Sequence, residues 1–132
     1  MAMEVHLVTP EREVWTGPAT MVVARGTEGD VGILPNHAPM LITLAIGALY
    51  IHNDAQIQAV AVDGGFLHVM SGGGDTRVDV LAEHAELEQE IDLDAAERLQ
   101  SDAERRLAER ASDDARADLA RATARLRVRG RG

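Results

Sequence analysis

The sequence predicts a two-part fold: an antiparallel β-sandwich in the form of a flattened barrel, followed by an antiparallel two-helix hairpin. Three observations predict it. Up to about residue 84, apolar and polar side chains alternate with a two-residue period over short runs, as half-buried strands do. Clusters of Gly, Pro, Asn and Asp separate the runs, and these residues preset or tolerate the φ values of tight turns. From about residue 92 the apolar spacing lengthens to three and four, the period of one helix face. The predicted boundaries are 1–87 for the sandwich and 88–132 for the hairpin.

The predicted strands are 3–8, 14–16, 19–24, 32–34, 43–50, 57–62, 66–70 and 77–81, joined by turns such as "RGTEGD", "HNDA", "DGG" and "SGGGD". No helical segment lies among them to make a βαβ crossover, which favours a purely antiparallel arrangement. In the second part, Leu93, Ala96, Leu99, Ala103 and Leu107 form one stripe, and Ala115, Leu119, Ala122 and Leu126 another. Asp92 or Asp94 caps the first helix, the latter forming a capping box with Glu97, and Ser112 starts the second. Burying a leucine contributes about 1.5 to 3 kcal/mol, whereas ordering each residue costs about 1 to 2 kcal/mol. Two leucines and a few alanines therefore hold the second helix marginally, so the hairpin is expected to occupy more than one position.

Composition narrows the function. The chain has 132 residues, no cysteine and no lysine, with only Trp15, Tyr50 and Phe66 as aromatics, so the core must be aliphatic. Ten acids face three arginines over residues 1–84 (net −7), and twelve acids face ten arginines beyond (net −2). A net charge of −9 opposes nucleic-acid binding, which relies on cationic neutralisation of phosphates. The opening "MAMEVHLVTPEREV" lacks the basic and apolar regions of a signal peptide. No apolar run approaches the roughly 20 residues that cross a bilayer.

Chemistry is excluded in turn. The absence of lysine removes a P-loop and a Schiff base. Ser71 lies in a hairpin without the G-x-S-x-G context, and Ser101 and Ser112 lie on or between helices. His6, His37, His52, His68 and His84 are scattered without metal-ligand spacing. The carboxylates sit in turns or alternate with arginines on helix faces, as solvated ion pairs do. No catalytic residue, metal ligand or cofactor is expected.

The stretch "GTEGDVGILPNHAPMLITLAIGAL" then carries a pattern: Gly29, Gly32, Leu34, Pro35, His37, Ala38, Pro39 and Gly47, with "AVDGGFLHV", "VDVLAEHAE" and "EIDLDAA" following in order. Over nearly its whole length the chain resembles the ε-subunit family of the F-type ATP synthase. The resemblance implies a non-catalytic rotor subunit, peripheral to the cytoplasmic face of the bacterial cell membrane. Its sandwich would grip the γ subunit and rest on the c-subunit ring, and its hairpin would either fold back or extend toward the α and β subunits and restrain ATP hydrolysis.

Residue by residue, the resemblance assigns Asp30, Gly32, Pro35, His37 and Pro39 to the c-ring contact; His37 is alternatively hydrogen-bonded within its own loop. It assigns Asp92, Arg121 and Arg125 to a remnant of an ATP site in which Ala95 replaces the motif arginine, implying weak ATP binding or none. Arg127, Arg129 and Arg131 would make regulatory C-terminal contacts. A stand-alone β-sandwich binding module with a helical recognition hairpin is the alternative.

Overall fold

The structure, a computed structural model, describes residues 2–130. Eight strands precede the helices: β1 Ala2–Val8, β2 Glu13–Pro18, β3 Met21–Gly26, β4 Gly29–Ile33, β5 Met40–Asn53, β6 Gln56–Gly72, β7 Asp75–Ala82 and β8 Ala85–Leu87. They hydrogen-bond in the order β2-β1-β7-β6-β5-β3-β4, with β8 added to β6. One pairing differs from expectation: β1 runs parallel to β7, with Val5 opposite Val78 and Leu7 opposite Val80. Parallel neighbours need a long crossover, and the rest of the sandwich, lying between β1 and β7 in the chain, supplies it.

The segments predicted as 57–62 and 66–70, with a turn at "DGG" between them, are a single strand, β6. Its pairing with β5 continues through the supposed turn, from Leu44 opposite Gly65 to Ile46 opposite Asp63. What changes there is the face that points inward. Met40, Ile42 and Leu44 of β5 pack in the main core before the bend, and Leu49 and Ile51 after it; on β6 the sets are Val60 and Val62, then Leu67 and Val69. Gly64 and Gly65 supply the reversal with φ values of 95° and 125°, open to glycine at no steric cost.

The bent ribbon belongs to two layers. One half pairs with β7, which carries β1 and β2; the other pairs with β3 and β8, and β3 carries β4. The aliphatic core between the layers includes Val5, Leu7, Val22, Ile33, Leu49, Leu67 and Val78, each essentially without exposure.

After a 3₁₀ turn at Glu88–Glu90 come α1, Leu93–Glu109, and α2, Asp113–Gly130. Asp92, and not Asp94, caps α1: its carboxylate accepts the Ala95 N–H at 3.0 Å. Ser112 Oγ accepts the Ala115 N–H at 3.1 Å. The buried residues of α1 are Ala96 and Ala103 rather than the stripe's leucines, and Leu93 is exposed. On α2, Ala115 and Ala122 are buried on the face of Asp118, whose carboxylate accepts from Arg106 of α1 at 2.6 Å, so this stripe faces α1. A second α2 stripe, Ala124 and Val128, packs with Ala59, Ala61 and Ile91, flanked by Ile46, Ala48 and Tyr50. Small side chains let backbones approach closely, and the hairpin lies folded against the outer face of β5 and β6.

A Cβ at position 65 would stand 2.1 Å from the Leu81 carbonyl oxygen and 2.8 Å from Ala82 Cα. Gly65→Ala is therefore expected to destabilise the sandwich by about 3 kcal/mol or more. Urea unfolding measures this, and an unchanged midpoint would show that β7 gives way freely.

Candidate functional site

The loop between β4 and β5 is built on a hydrogen-bonded turn. The His37 N–H donates to the Leu34 carbonyl at 3.0 Å, Pro35 occupies the second position, and Asn36 takes the third with φ 70°. That is a type II turn, which requires positive φ at its third residue and favours proline at its second. Sequence reasoning credited Pro35 and Pro39 and overlooked Asn36, although the Pro-Asn pair was there to be read.

The loop is then fastened from outside. The Asn36 N–H donates to Thr76 Oγ1 at 2.6 Å, and Ser71 Oγ donates to the His37 carbonyl at 2.6 Å. Thr76, only 2% exposed, and Ser71 also share a hydroxyl contact of 3.3 Å. Both flank the β6–β7 hairpin, so two neighbouring connections form one stiff end of the sandwich. His37 turns to its own loop, with Nδ1 2.9 Å from the Ala38 carbonyl oxygen; the carbonyl can only accept, so Nδ1 carries the proton. Leu34 and Pro39 face solvent.

Asp30 lies elsewhere. It stands on β4 opposite Arg25 of β3, which donates to its carboxylate at 3.1 Å with both side chains more than half exposed. Among the described residues no hydrogen bond or ion pair joins Asp30 to the 34–39 loop. Gly32 is exposed with nothing within 4 Å of an added Cβ, so no tight approach within this chain requires a glycine there.

On the opposite side of the ribbon, α2 brings its arginines to carboxylates of the sandwich. Arg125 donates through Nε to Glu86 at 2.5 Å and through Nη2 to Asp63 at 3.1 Å. Arg121 Nε lies 3.5 Å from the same Asp63 oxygen, and its Nη1 reaches Asp118 at 2.9 Å. Asp63 is 8% exposed, and its other oxygen, Oδ1, is buried without a hydrogen-bond partner. Asp92 is occupied as the α1 cap. A groove of 430 Å³ between α2 and β3–β5 is lined by Arg25, Asp30, Tyr50, Leu119 and Arg127 among others. It brings Asp30, assigned to the rotor contact, near Arg127, assigned to the regulatory end. Arg127 and Arg129 are exposed and make no ion pair among the described residues; Arg131 lies outside them. Among the described residues no cluster of three or more His, Asp or Glu is arranged to hold a metal ion. Among the described residues no helix is long and apolar enough to cross a membrane.

Residues 2–88 match the family described as the ATP synthase, Delta/Epsilon chain, beta-sandwich domain. The chain is also 43% identical over 133 residues to the ATP synthase epsilon chain of Nitratidesulfovibrio vulgaris, covering 98% of this chain and 96% of that one. The chain belongs to the epsilon-chain family of the bacterial F-type ATP synthase. The epsilon chain of Halalkalibacterium halodurans is 37% identical, with 98% of each chain covered. The fold is shared with a chain of the Euglena gracilis mitochondrial ATP synthase OSCP/F1/c-ring structure, at TM-score 0.67 and 21% identity over 95% of this chain and 75% of that one. An epsilon chain is a non-catalytic subunit of its complex, in keeping with a site made of turns, ion pairs and apolar faces.

Within this epsilon chain, Ser71, Thr76, Asp63 and Glu86 were missed by sequence reasoning. Asp63 had a readable signal: a lone acid in "AVAVDGG" interrupts a strand that is otherwise buried on both faces. Ser71 and Thr76 had none, because their partners lie 34 and 40 residues away.

Helix pairing in the epsilon chain should respond to acid. Asp118 is held below the ordinary carboxylate range by the hydrogen bond from Arg106, with burial opposing and Arg121 assisting. Asp102 is lowered chiefly by Arg105, and further by Arg106. A carboxylate whose folded value is depressed adds stability above its unfolded value, about 3.9, and loses it as pH falls through the folded value. Between pH 7 and about 5 the hairpin should therefore be unchanged, and below about pH 4 the amide protection factors of α1 and α2, measured against the intrinsic exchange rate at each pH, should fall. Protection factors that hold to lower pH would mean these pairs contribute nothing.

Proposed function

We propose that this epsilon chain works as a rotor element of the central stalk, coupling rotation of the c-subunit ring to ATP synthesis and restraining ATP hydrolysis through its helices. The observation that carries this reading is an outward row across four strands whose exposed centre, Phe66 and Leu81, is apolar. Thr43 of β5, Phe66 of β6, Leu81 of β7 and Val8 of β1 stand in register, and the row faces outward. Phe66 is 50% exposed, Leu81 52%, and the neighbouring Leu41 66%. Contiguous exposed apolar surface of this kind marks a protein contact, and aromatic residues tend to anchor such contacts. It lies on the half of the ribbon that α2 does not cover, so a partner can seat there without displacing the hairpin.

The partner assigned to this row is the γ subunit. The 34–39 loop, pinned by Ser71 and Thr76, is suited to transmit load to the c-subunit ring, because a hydrogen-bonded turn yields little under lateral force. Asp30 joins that contact as an exposed charge already oriented by Arg25. The hairpin, docked here on small apolar side chains and arginine pairs, would reach the α and β subunits when released. The complex, and with it this chain, would then be peripheral to the cytoplasmic face of the membrane.

Phe66 is half exposed, so Phe66→Glu should leave the sandwich folded while weakening copurification with γ at least about tenfold. Undiminished association would remove the row from the interface. Separately, removing residues 92–132 should raise ATP hydrolysis of the assembled enzyme severalfold with γ binding intact. An unchanged rate would contradict the restraining role.

A further inference from the structure

We infer that in this chain two internal carboxylates, Asp63 and Glu86, take the place of a nucleotide's phosphates on α2, so that the hairpin is held docked by an intramolecular anion and not by ATP. The inference deepens the regulatory half of the reading above, on which its consequence in the assembled enzyme rests.

The residues that the family resemblance assigns to ATP do not fit that ligand here. Asp92 spends its carboxylate on the α1 cap, and Ala95 offers no guanidinium. The two remaining arginines are consumed. Arg125, with 14% side-chain exposure, divides its donors between Glu86 and Asp63, and Arg121 divides its own between Asp63 and Asp118. An incoming phosphate would have to displace carboxylates already at hydrogen-bond distance, and would stand beside acids that repel it. Charge-assisted pairs of this kind are the strong ones.

The positions of the acids match the task. Asp63 projects from the outer face of β6 immediately before the Gly64–Gly65 bend, with its N–H donating to the His84 carbonyl at 2.9 Å, so the backbone that carries the carboxylate is fixed by the sandwich itself. Glu86 follows on β8, beside His84 at 3.8 Å. The two arginines that answer them are four residues apart, one turn of α2. From Asp63 the network continues through Arg121, Asp118 and Arg106 to Asp102 on α1, tying both helices to one point on the sandwich.

Asp63 Oδ1, buried and without a partner, gives the device its directionality. A carboxylate with one unsatisfied buried oxygen is tolerated while Arg121 and Arg125 are present; if they leave, the anion must be rehydrated, and the helix must lift off for water to enter. Loss of the arginines and opening of the hairpin are therefore one event. Because the pairing is ionic, added salt should favour opening, whereas a nucleotide should not favour closing.

The test uses the full chain, which has no native cysteine, with spin labels on Ala55→Cys and Ala111→Cys, two exposed alanines. The expected docked fraction is the same with and without millimolar ATP and falls as sodium chloride is raised. Asp63→Asn should lower the docked-to-open ratio about tenfold or more. Arg125→Gln, which leaves the sandwich untouched, should match it. Asp63→Asn/Glu86→Gln, which removes both internal acids, should lower the ratio further and leave it indifferent to ATP, because Ala95 and the capped Asp92 remain. The inference is overturned if ATP promotes docking of the native chain, if Asp63→Asn docks like the native chain at every salt concentration, or if added salt leaves the native docked fraction unchanged. Any of these would leave the result of γ copurification with Phe66→Glu standing, so the two readings fail separately.

Discussion

The β5–β6 ribbon sets the constraint on which the other elements depend, because a single pair of long strands has to serve both layers of the sandwich and present a different outer face on each. Its register never breaks, yet the side of the ribbon facing the core is exchanged at Gly64 and Gly65. With the exchange, even-numbered residues of β5 line the core in one half and meet α2 in the other. Phe66 and Leu41 are thereby exposed on one layer, while Ala59, Ala61 and Asp63 turn toward the hairpin on the other. Without it, one continuous face would be buried along the whole ribbon, and the apolar row and the helix platform could not both exist. The backbone of Leu81, 2.1 Å from where a Cβ on Gly65 would lie, makes the bend a matter of interlayer packing as well as of φ.

The hairpin is attached by different physics. Its apolar contact with the sandwich rests on Ala124 and Val128 against two alanines and Ile91, and each methyl-sized contact adds little beside the roughly 0.8 kcal/mol of a buried methylene. The leucines that would have deepened this contact lie half-buried or exposed. Shallow apolar packing leaves the arginine pairs to decide where the hairpin sits. Exposed pairs contribute about 0 to 1 kcal/mol, so weight falls on Asp63 and Arg125, the pair with the least exposure among the ion pairs described.

Much of this was legible in the sequence, and the failures are instructive. The two periods located the change from strand to helix, and the glycine and proline pattern identified the family. The "DGG" segment was read as a turn because turn chemistry and bend chemistry use the same residues; only the pairing partner distinguishes them. The parallel placement of β1 beside β7 leaves no trace in either strand, since alternation is blind to direction. The leucine stripes marked the helices correctly but not their buried faces, because close packing selected alanine. Asp63 was counted as one more surface acid, and its burial is decided by a helix some 60 residues later, a long-range fact that local pattern cannot carry. As for the assigned residues, Pro35 and His37 share a loop, whereas Asp30 stands apart from it on β4.

The two ends of the molecule respond to different conditions. The 34–39 loop is held by neutral hydrogen bonds, from Ser71, to Thr76 and within its own backbone, which neither salt nor moderate pH weakens appreciably. The hairpin is held by charge, and every carboxylate in its network must be ionised for the network to exist. On the proposed function, torque would pass through the first end and the second would act as a reversible restraint. Both stand on one bent ribbon, and because Asp63 faces away from the core that supports Ser71 and Thr76, the proposed release of the hairpin would not loosen the loop.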